Sequence, residues 1–336
     1  MGVLSSARGR FAILAAACTL GAIAAIVIAA RNADTSASAP YGAAQALARA
    51  RTEKRPVVVF RSLDREAPGS FGQLAIATLR GSAPARMRQA LRCERVYFGP
   101  TSGLCLARGN GFAAGYRAEI VDTDLRIRHE IDVAGIPSRA RVSPDGRYGA
   151  VTSFVTGHSY ADAGTFSTQT TLIDLARGTT VADLEQFTTY RDSRQVTAID
   201  VNFWGVTFAR DSDRFYATLA TGGKTYLVEG SVADRTMRTI HENVECPSLA
   251  PDGRRIAYKK RVDGRDGRWR LFVLDLRTMR ETPLAETRSV DDQAEWLDER
   301  HLLYALHDAI WIVPSNGGGR PMRFLPRAGS PTVARW

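Results

Sequence analysis

The chain has 336 residues, a net charge of +10, 44% apolar and 24% charged side chains. That balance argues against disorder over the whole length, and 29 Gly and 14 Pro without a regular period exclude a collagen-like or low-complexity protein. Four Cys and no CxxC pair argue against a disulfide scaffold and a structural zinc centre, and no metal or cofactor is expected.

Residues 1–10 carry Arg8 and Arg10 and read as a short cytoplasmic segment. Residues 11–30, FAILAAACTLGAIAAIVIAA, hold no charge. As a helix rising about 1.5 Å per residue they reach the roughly 30 Å of a bilayer core. The run exceeds the roughly 7–15 apolar residues of a cleaved leader, so it predicts a retained transmembrane signal anchor. Cleavage after Ala37-Ser38-Ala39 is the alternative and would give a secreted domain. Cys18 offers a lipoprotein reading, but the apolar run continues twelve residues past it. Basic residues before the anchor keep the N-terminus inside, so the chain from about residue 31 is expected on the extracytoplasmic side of the cell membrane. Residues 31–55 are Ala-rich and polar and read as a linker or weak helix. Residues 1–55 carry +5, as much as the 281 residues that follow. A basic stalk of this kind is drawn to anionic headgroups at about 1 kcal/mol per basic residue near the surface. The main domain has no Lys/Arg block interleaved with aromatics, so nucleic acid is not an expected partner.

After residue 55 the sequence repeats. Val142-Ser143-Pro144-Asp145-Gly146-Arg147-Tyr148 and Leu249-Ala250-Pro251-Asp252-Gly253-Arg254 each set Pro-Asp-Gly after a short apolar run and before a strand-like stretch. Degenerate copies run through Asp211, Asp298 and the segment at Gly99-Pro100-Thr101. The turns fall near residues 101, 145, 211, 252 and 298, at spacings of 44, 66, 41 and 46. A unit of about 40–50 residues suits a four-stranded propeller blade, and the long gap predicts an insertion of about 20 residues. Pro presets φ for the turn, Asp bonds the backbone beyond it, and Gly accepts positive φ. Outer strands follow as Leu271-Phe272-Val273-Leu274-Asp275-Leu276 and Thr170-Thr171-Leu172-Ile173-Asp174-Leu175. The expected fold is therefore all-β, a propeller of six blades over residues 56–336, with seven as the alternative. Blades are predicted to begin near 56, 92, 136, 201, 244 and 290. Residues 330–335 (SPTVAR) resemble the segment before each Pro-Asp-Gly turn, yet no turn follows. Pairing with residues 56–61 (PVVVFR) would complete the first blade and close the ring.

These motifs resemble the TolB-type β-propeller repeat, and the anchored, Ala/Arg-rich form resembles TolB-like proteins of high-GC actinobacteria. The resemblance covers residues 56–336 at the level of architecture. It implies a binding propeller without the N-terminal α/β domain of TolB, for which residues 31–55 are too short.

No catalytic residue is expected. Gly157-His158-Ser159-Tyr160-Ala161 comes close to a nucleophile elbow but lacks the last Gly and the strand–turn–helix context. His129, His158, His241, His301 and His307 are scattered without metal-binding spacing. Asp263-Gly264-Arg265-Asp266-Gly267 alternates oxygen donors but lacks a downstream bidentate Glu, and reads as a hairpin tip. Cys93 and Cys105 flank a turn and, in an exported domain, predict a hairpin-bridging disulfide, with two buried thiols as the alternative. Cys246 reads as a buried free thiol on an inner strand.

Ligand binding is expected on loops around the central channel, since a rigid ring positions them. The insertion of the third blade supplies one candidate set, His158, Tyr160 and Asp162. A second runs through Tyr190 and Arg191 to Asp200, Asn202 and Trp204. Exposed Tyr, Trp and Arg anchor interfaces, while packing between blades is the alternative for Phe203 and Trp204. The sequence thus predicts a non-catalytic, membrane-tethered extracytoplasmic propeller that binds a protein or cell-envelope ligand. The rival expectation is an envelope glycan-processing lyase or hydrolase working through the central funnel.

Overall fold

Short strands that end in Asp-Gly turns fold back on themselves, and each return leaves one apolar face to bury against a neighbouring sheet. The computed structural model describes residues 42–79, 86–109, 115–156, 166–264 and 267–336. The expected cytoplasmic segment, transmembrane anchor and cleavage site lie outside these residues. Among the described residues, no helix is long and apolar enough to cross a membrane.

Blade 1 contains β1 (Val57–Ser62), β2 (Gln73–Thr78) and β3 (Arg86–Arg92). Blade 2 is β4 (Arg95–Phe98), β5 (Ser102–Arg108), β6 (Tyr116–Asp122) and β7 (Ile127–Val133). Blade 3 is β8 (Ile136–Val142), β9 (Tyr148–Thr156), β10 (Ser167–Asp174) and β11 (Thr179–Asp183). Two short strands follow, β12 (Thr188–Arg191) and β13 (Arg194–Gln195). Blade 4 then runs through β14 (Asn202–Phe208), β15 (Arg214–Thr221), β16 (Lys224–Ser231) and β17 (Thr236–Glu242). Blade 5 is β18 (Glu245–Leu249), β19 (Arg255–Arg261), β20 (Trp269–Asp275) and β21 (Glu281–Pro283). Blade 6 is β22 (Glu295–Trp296), β23 (His301–Leu306), β24 (Ala309–Pro314) and β25 (Met322–Pro326), and β26 (Ala328–Ala334) follows it.

β26 does not extend blade 6. It pairs with β1, Val57 opposite Ala334 and Val59 opposite Thr332, so the order of blade 1 is β26-β1-β2-β3. The six inner strands touch in the cycle β26, β4, β8, β14, β18, β22 and back to β26. The chain is a six-bladed propeller closed by its own last strand, as the repeat predicted.

The repeated turns are held as their residue types require. The Asp145 carboxylate accepts from Arg147 N at 2.9 Å, Asp252 from Arg254 N at 2.8 Å, Asp211 from Arg214 N at 2.8 Å and Asp298 from Arg300 N at 2.7 Å. Gly146 takes φ +75°, and a Cβ there would lie 2.0 Å from Thr101 Oγ1 of the preceding blade. That position therefore excludes a side chain both by conformation and by the closeness of two blades.

Three features differ from or refine the expectation. The segment read as a linker or weak helix contains α1 (Gly42–Thr52), packed on blade 1. Ala43, Leu47 and Ala50, spaced one turn apart, are buried with Leu74, Ile76, Val96 and Phe98 between blades 1 and 2. The compact unit that holds the propeller thus includes residues 42–55 together with those from 56 on. Second, the insertion between blades 3 and 4 is not only a loop. β12 pairs in parallel with β17, Thr188 opposite Thr236, and β13 pairs with β12, so blade 4 has six strands. The outermost strand of a blade has unpaired backbone groups, and the insertion satisfies one such edge. Third, Cys93 and Cys105 form the expected disulfide, with Cα atoms 5.2 Å apart. Cys246 is a buried free thiol on β18, an inner strand, also as expected.

Candidate functional site

Inner strands turn every second side chain toward the channel. Polar residues at those positions meet near the axis, where six strands converge and little water enters. The centre is crossed by ion pairs between distant blades. Arg141 on β8 reaches Glu295 on β22, Nη1 to Oε2 at 2.5 Å, with side chains only 5% and 4% exposed. Arg141 Nη2 donates to Ser248 Oγ of β18 and to Ala294 O, each at 3.0 Å. Its guanidinium lies over the Tyr97 ring of β4, 4.6 Å from the centroid. Burial works against the charge on Arg141, but Tyr97 and Glu295 outweigh it and hold the proton more tightly than usual. Burial, and then Glu295, push the Tyr97 hydroxyl up. Glu295 also accepts from Val333 N of the closing strand at 3.3 Å and pairs with Arg335 at 3.6 Å. One buried carboxylate thereby ties blades 3 and 6 to the strand that closes the ring.

A second tier lies toward the opposite face. Lys259, fully buried, pairs with Asp291 and lies 3.6 Å from Glu245. Arg139 approaches Asp291 at 3.5 Å. Burial would raise the Asp291 carboxyl, yet Lys259 and Arg139 hold it down at about 2. Trp269 Nε1 donates to Glu245 Oε1 at 3.0 Å, and Lys259 Nζ lies 4.1 Å from the Trp269 centroid. Gln293 Nε2 donates to Pro247 O at 2.6 Å and to the Gly205 and Val206 carbonyls at 3.2 Å.

Above the Arg141–Glu295 pair the channel widens into a funnel of about 330 Å³ at the end that bears the Pro-Asp-Gly turns. Its wall includes Tyr97, Trp296 and Trp336, its rim Pro100, Pro144 and Pro251, and its charges Arg141, Arg210, Arg335 and Glu295. Arg210 Nε donates to Pro251 O at 3.0 Å, which fixes its head at the rim. The funnel is therefore a rigid concavity with apolar and aromatic walls and an excess of guanidinium groups. Such a site holds a ligand and orients its acidic or carbonyl groups. Among the described residues no group of three or more His, Cys, Asp or Glu side chains is placed to hold a metal.

The candidate residues are distributed differently. His158, Tyr160 and Asp162 lie outside the described residues. Tyr190 is exposed on β12, and Arg191 donates to the Tyr226 hydroxyl at 3.2 Å. Asp200 accepts from Thr221 Oγ1 at 2.6 Å and Gly222 N at 2.7 Å, pinning the β15–β16 hairpin. Arg191 and that hairpin line an open groove of about 620 Å³ at the outer edge of blade 4, away from the channel. Asn202 Oδ1 accepts from Thr168 N at 2.8 Å and joins blades 3 and 4. Trp204 is 1% exposed and stacks edge-on against Phe166, 5.8 Å between centroids, so the packing alternative describes it and not the surface one. The funnel residues were missed because each reads locally as an ordinary polar position of a strand. Their one signal is position: Arg141 stands three residues before Pro144 and Glu295 three residues before Asp298.

Comparison with known proteins bears on the fold. No family model matches the sequence, and no curated protein matches it. Among solved structures, TolB from Acinetobacter baumannii is similar with a TM-score of 0.56 at 15% identity, over 83% of this chain and 66% of that one. A chain from a nidogen/laminin complex is similar with a TM-score of 0.54 at 9% identity, over 83% of this chain and 98% of that one. This chain thus spans just under two thirds of the TolB it resembles. The shared feature is the fold, a TolB-like β-propeller.

Proposed function

We propose that this protein is a non-catalytic binding propeller, tethered to the extracytoplasmic side of a membrane through residues 11–30, whose funnel at the turn end takes a protein or cell-envelope ligand. The observation that carries the reading is the funnel itself: about 330 Å³, walled by Tyr97, Trp296 and Trp336 and ringed by Arg141, Arg210 and Arg335. Aromatic and guanidinium groups held on a rigid frame are the anchors of interfaces. A propeller of similar fold in a nidogen/laminin complex supports protein binding as a use of this architecture. Six inner strands hold the ring in place, so a ligand meets a preformed site and loses little affinity to ordering it.

The test is capture of envelope components from solubilised membranes by the full chain, compared with Arg210→Glu and Arg335→Glu variants of unchanged melting temperature. Binding through the funnel predicts that the retained component is lost from both variants. Identical capture by all three proteins would refute the funnel as the site. Incubation with envelope polysaccharides serves the rival reading, and turnover abolished by either substitution would establish an enzyme instead.

A further inference from the structure

The net charge of the folded unit is concentrated on one rim. Residues 42–336 carry +8, and α1 with the three residues after it supplies Arg49, Arg51, Lys54 and Arg55 against Glu53 alone. β3, the outermost strand of blade 1, adds Arg86, Arg88 and Arg92 and no acidic residue. These 21 residues therefore hold +6 of the +8. They border the same edge of blade 1, α1 against one face of β3 and the β3 arginines on the other. Met87 and Leu91 of β3 pack toward the core that includes α1. By alternation Arg86, Arg88 and Arg92 point from the other face of the strand. That face is exposed and looks toward blade 6, where Arg86 donates to Pro326 O at 2.8 Å. Exposed Arg323 of the neighbouring outer strand β25 extends the patch.

The same rim is where the chain enters the fold, since Gly42 begins α1 against Met87, to which a Cβ would approach within 2.9 Å. Between the apolar run that ends at residue 30 and Gly42 stand eleven residues. They reach at most roughly 40 Å even when fully extended. Taking residues 11–30 as a membrane anchor, which is the reading proposed above, the chain reaches the wheel at this rim within roughly 40 Å of the bilayer.

We propose that the α1–β3 rim of blade 1 docks on an anionic bilayer surface, its guanidinium groups meeting lipid phosphates, and so sets the wheel edge-on to the membrane. Headgroup attraction acts within a Debye length of roughly 8 Å at physiological salt, so a short tether that keeps the basic rim near the surface strengthens its contact. Edge-on docking leaves both ends of the channel facing away from the lipid.

Tryptic cleavage at Arg51 and Arg88 of the full chain tests this with vesicles of phosphatidylcholine alone and with 30% phosphatidylglycerol added. Anchoring predicts flotation with both vesicle types, resistant to 0.5 M NaCl. Docking predicts that cleavage at both sites slows at least tenfold with anionic lipid only, and that 0.5 M NaCl or Arg51→Glu/Arg88→Glu removes the protection. Each charge removed should weaken the surface contact about fivefold. Flotation without lipid-dependent protection would overturn docking and leave the anchor standing. Failure to float with phosphatidylcholine, with salt-sensitive binding to anionic vesicles, would overturn the anchor and support the rim. Equal protection by soluble polyphosphate or single-stranded DNA would overturn a lipid surface as the partner. The salt arm uses the wild-type chain, so the result does not depend on the double variant folding.

Discussion

At the scale of single residues, the Arg141–Glu295 pair decides the most. Burying two charges costs several kcal/mol each, and their attraction with the hydrogen bonds from Arg141 Nη1 and Nη2 offsets this. Removing one partner leaves the other buried and unpaired. Glu295→Leu is expected to cost about 3–5 kcal/mol in urea unfolding, and Arg141→Met/Glu295→Leu to recover most of that loss. A double variant as unstable as the single one would contradict this role. Glu185 gives a second expectation. Burial raises its carboxyl from 4.5 to about 7, against the backbone bonds from Thr170 N at 3.2 Å. A folded value above the unfolded one means the folded state binds the proton more tightly. Stability from this group is therefore full below about pH 4.5, falls as pH rises, and is gone above about pH 7. Thermal melts from pH 4.5 to 8 should show this slope, and Glu185→Gln, which keeps an acceptor for Thr170, should flatten it by about 2–3 kcal/mol. The turn aspartates were legible in the sequence because Asp145 and Asp252 act on atoms two residues away. Arg141 was not, because its partner lies 154 residues on.

At the scale of elements, local pattern and neighbour geometry divide the work. The Cys93–Cys105 hairpin was legible because sequence spacing and a turn suffice to bring the two residues together. Opening this bond in the Cys93→Ser variant is expected to cost about 3 kcal/mol by the chain-entropy model, read as a lowered urea midpoint. An unchanged midpoint would mean that the unfolded chain gains nothing from losing the link. β12 and β13 were legible only as an insertion. Their pairing with blade 4 depends on the free edge of β17, which belongs to a segment nearly fifty residues away along the chain. α1 was masked by its composition, since three small or apolar residues at 43, 47 and 50 make a stripe too thin to distinguish from an Ala-rich linker.

At the scale of the whole molecule, closure is the central fact. A ring of sheets has two open edges until one blade is assembled from both ends of the unit, and β26 on β1 removes both. Deleting residues 328–336 is expected to unpair β1, expose Val58 and Phe60, and replace one cooperative melt with a broad transition and aggregation. A truncated chain that melts as sharply and as high as the parent would show the clasp to be dispensable. Six blades were readable from repeat spacing, with seven as the alternative, and closure from the likeness of residues 330–335 to the segment before each turn, because each unit repeats the same local solution. The funnel was not, because it exists only where six strands separated by tens of residues meet.

That clasp also sets a clock. Trp336 Nε1 donates to Arg55 O at 3.1 Å, so the chain just past β26 touches the chain just before β1. A ribosome adding roughly 5–20 residues each second needs some fifteen seconds or more to pass from β1 to β26. Throughout that interval β1 waits with one margin uncovered, and a chaperone able to shield a lone extended strand would find its natural client there.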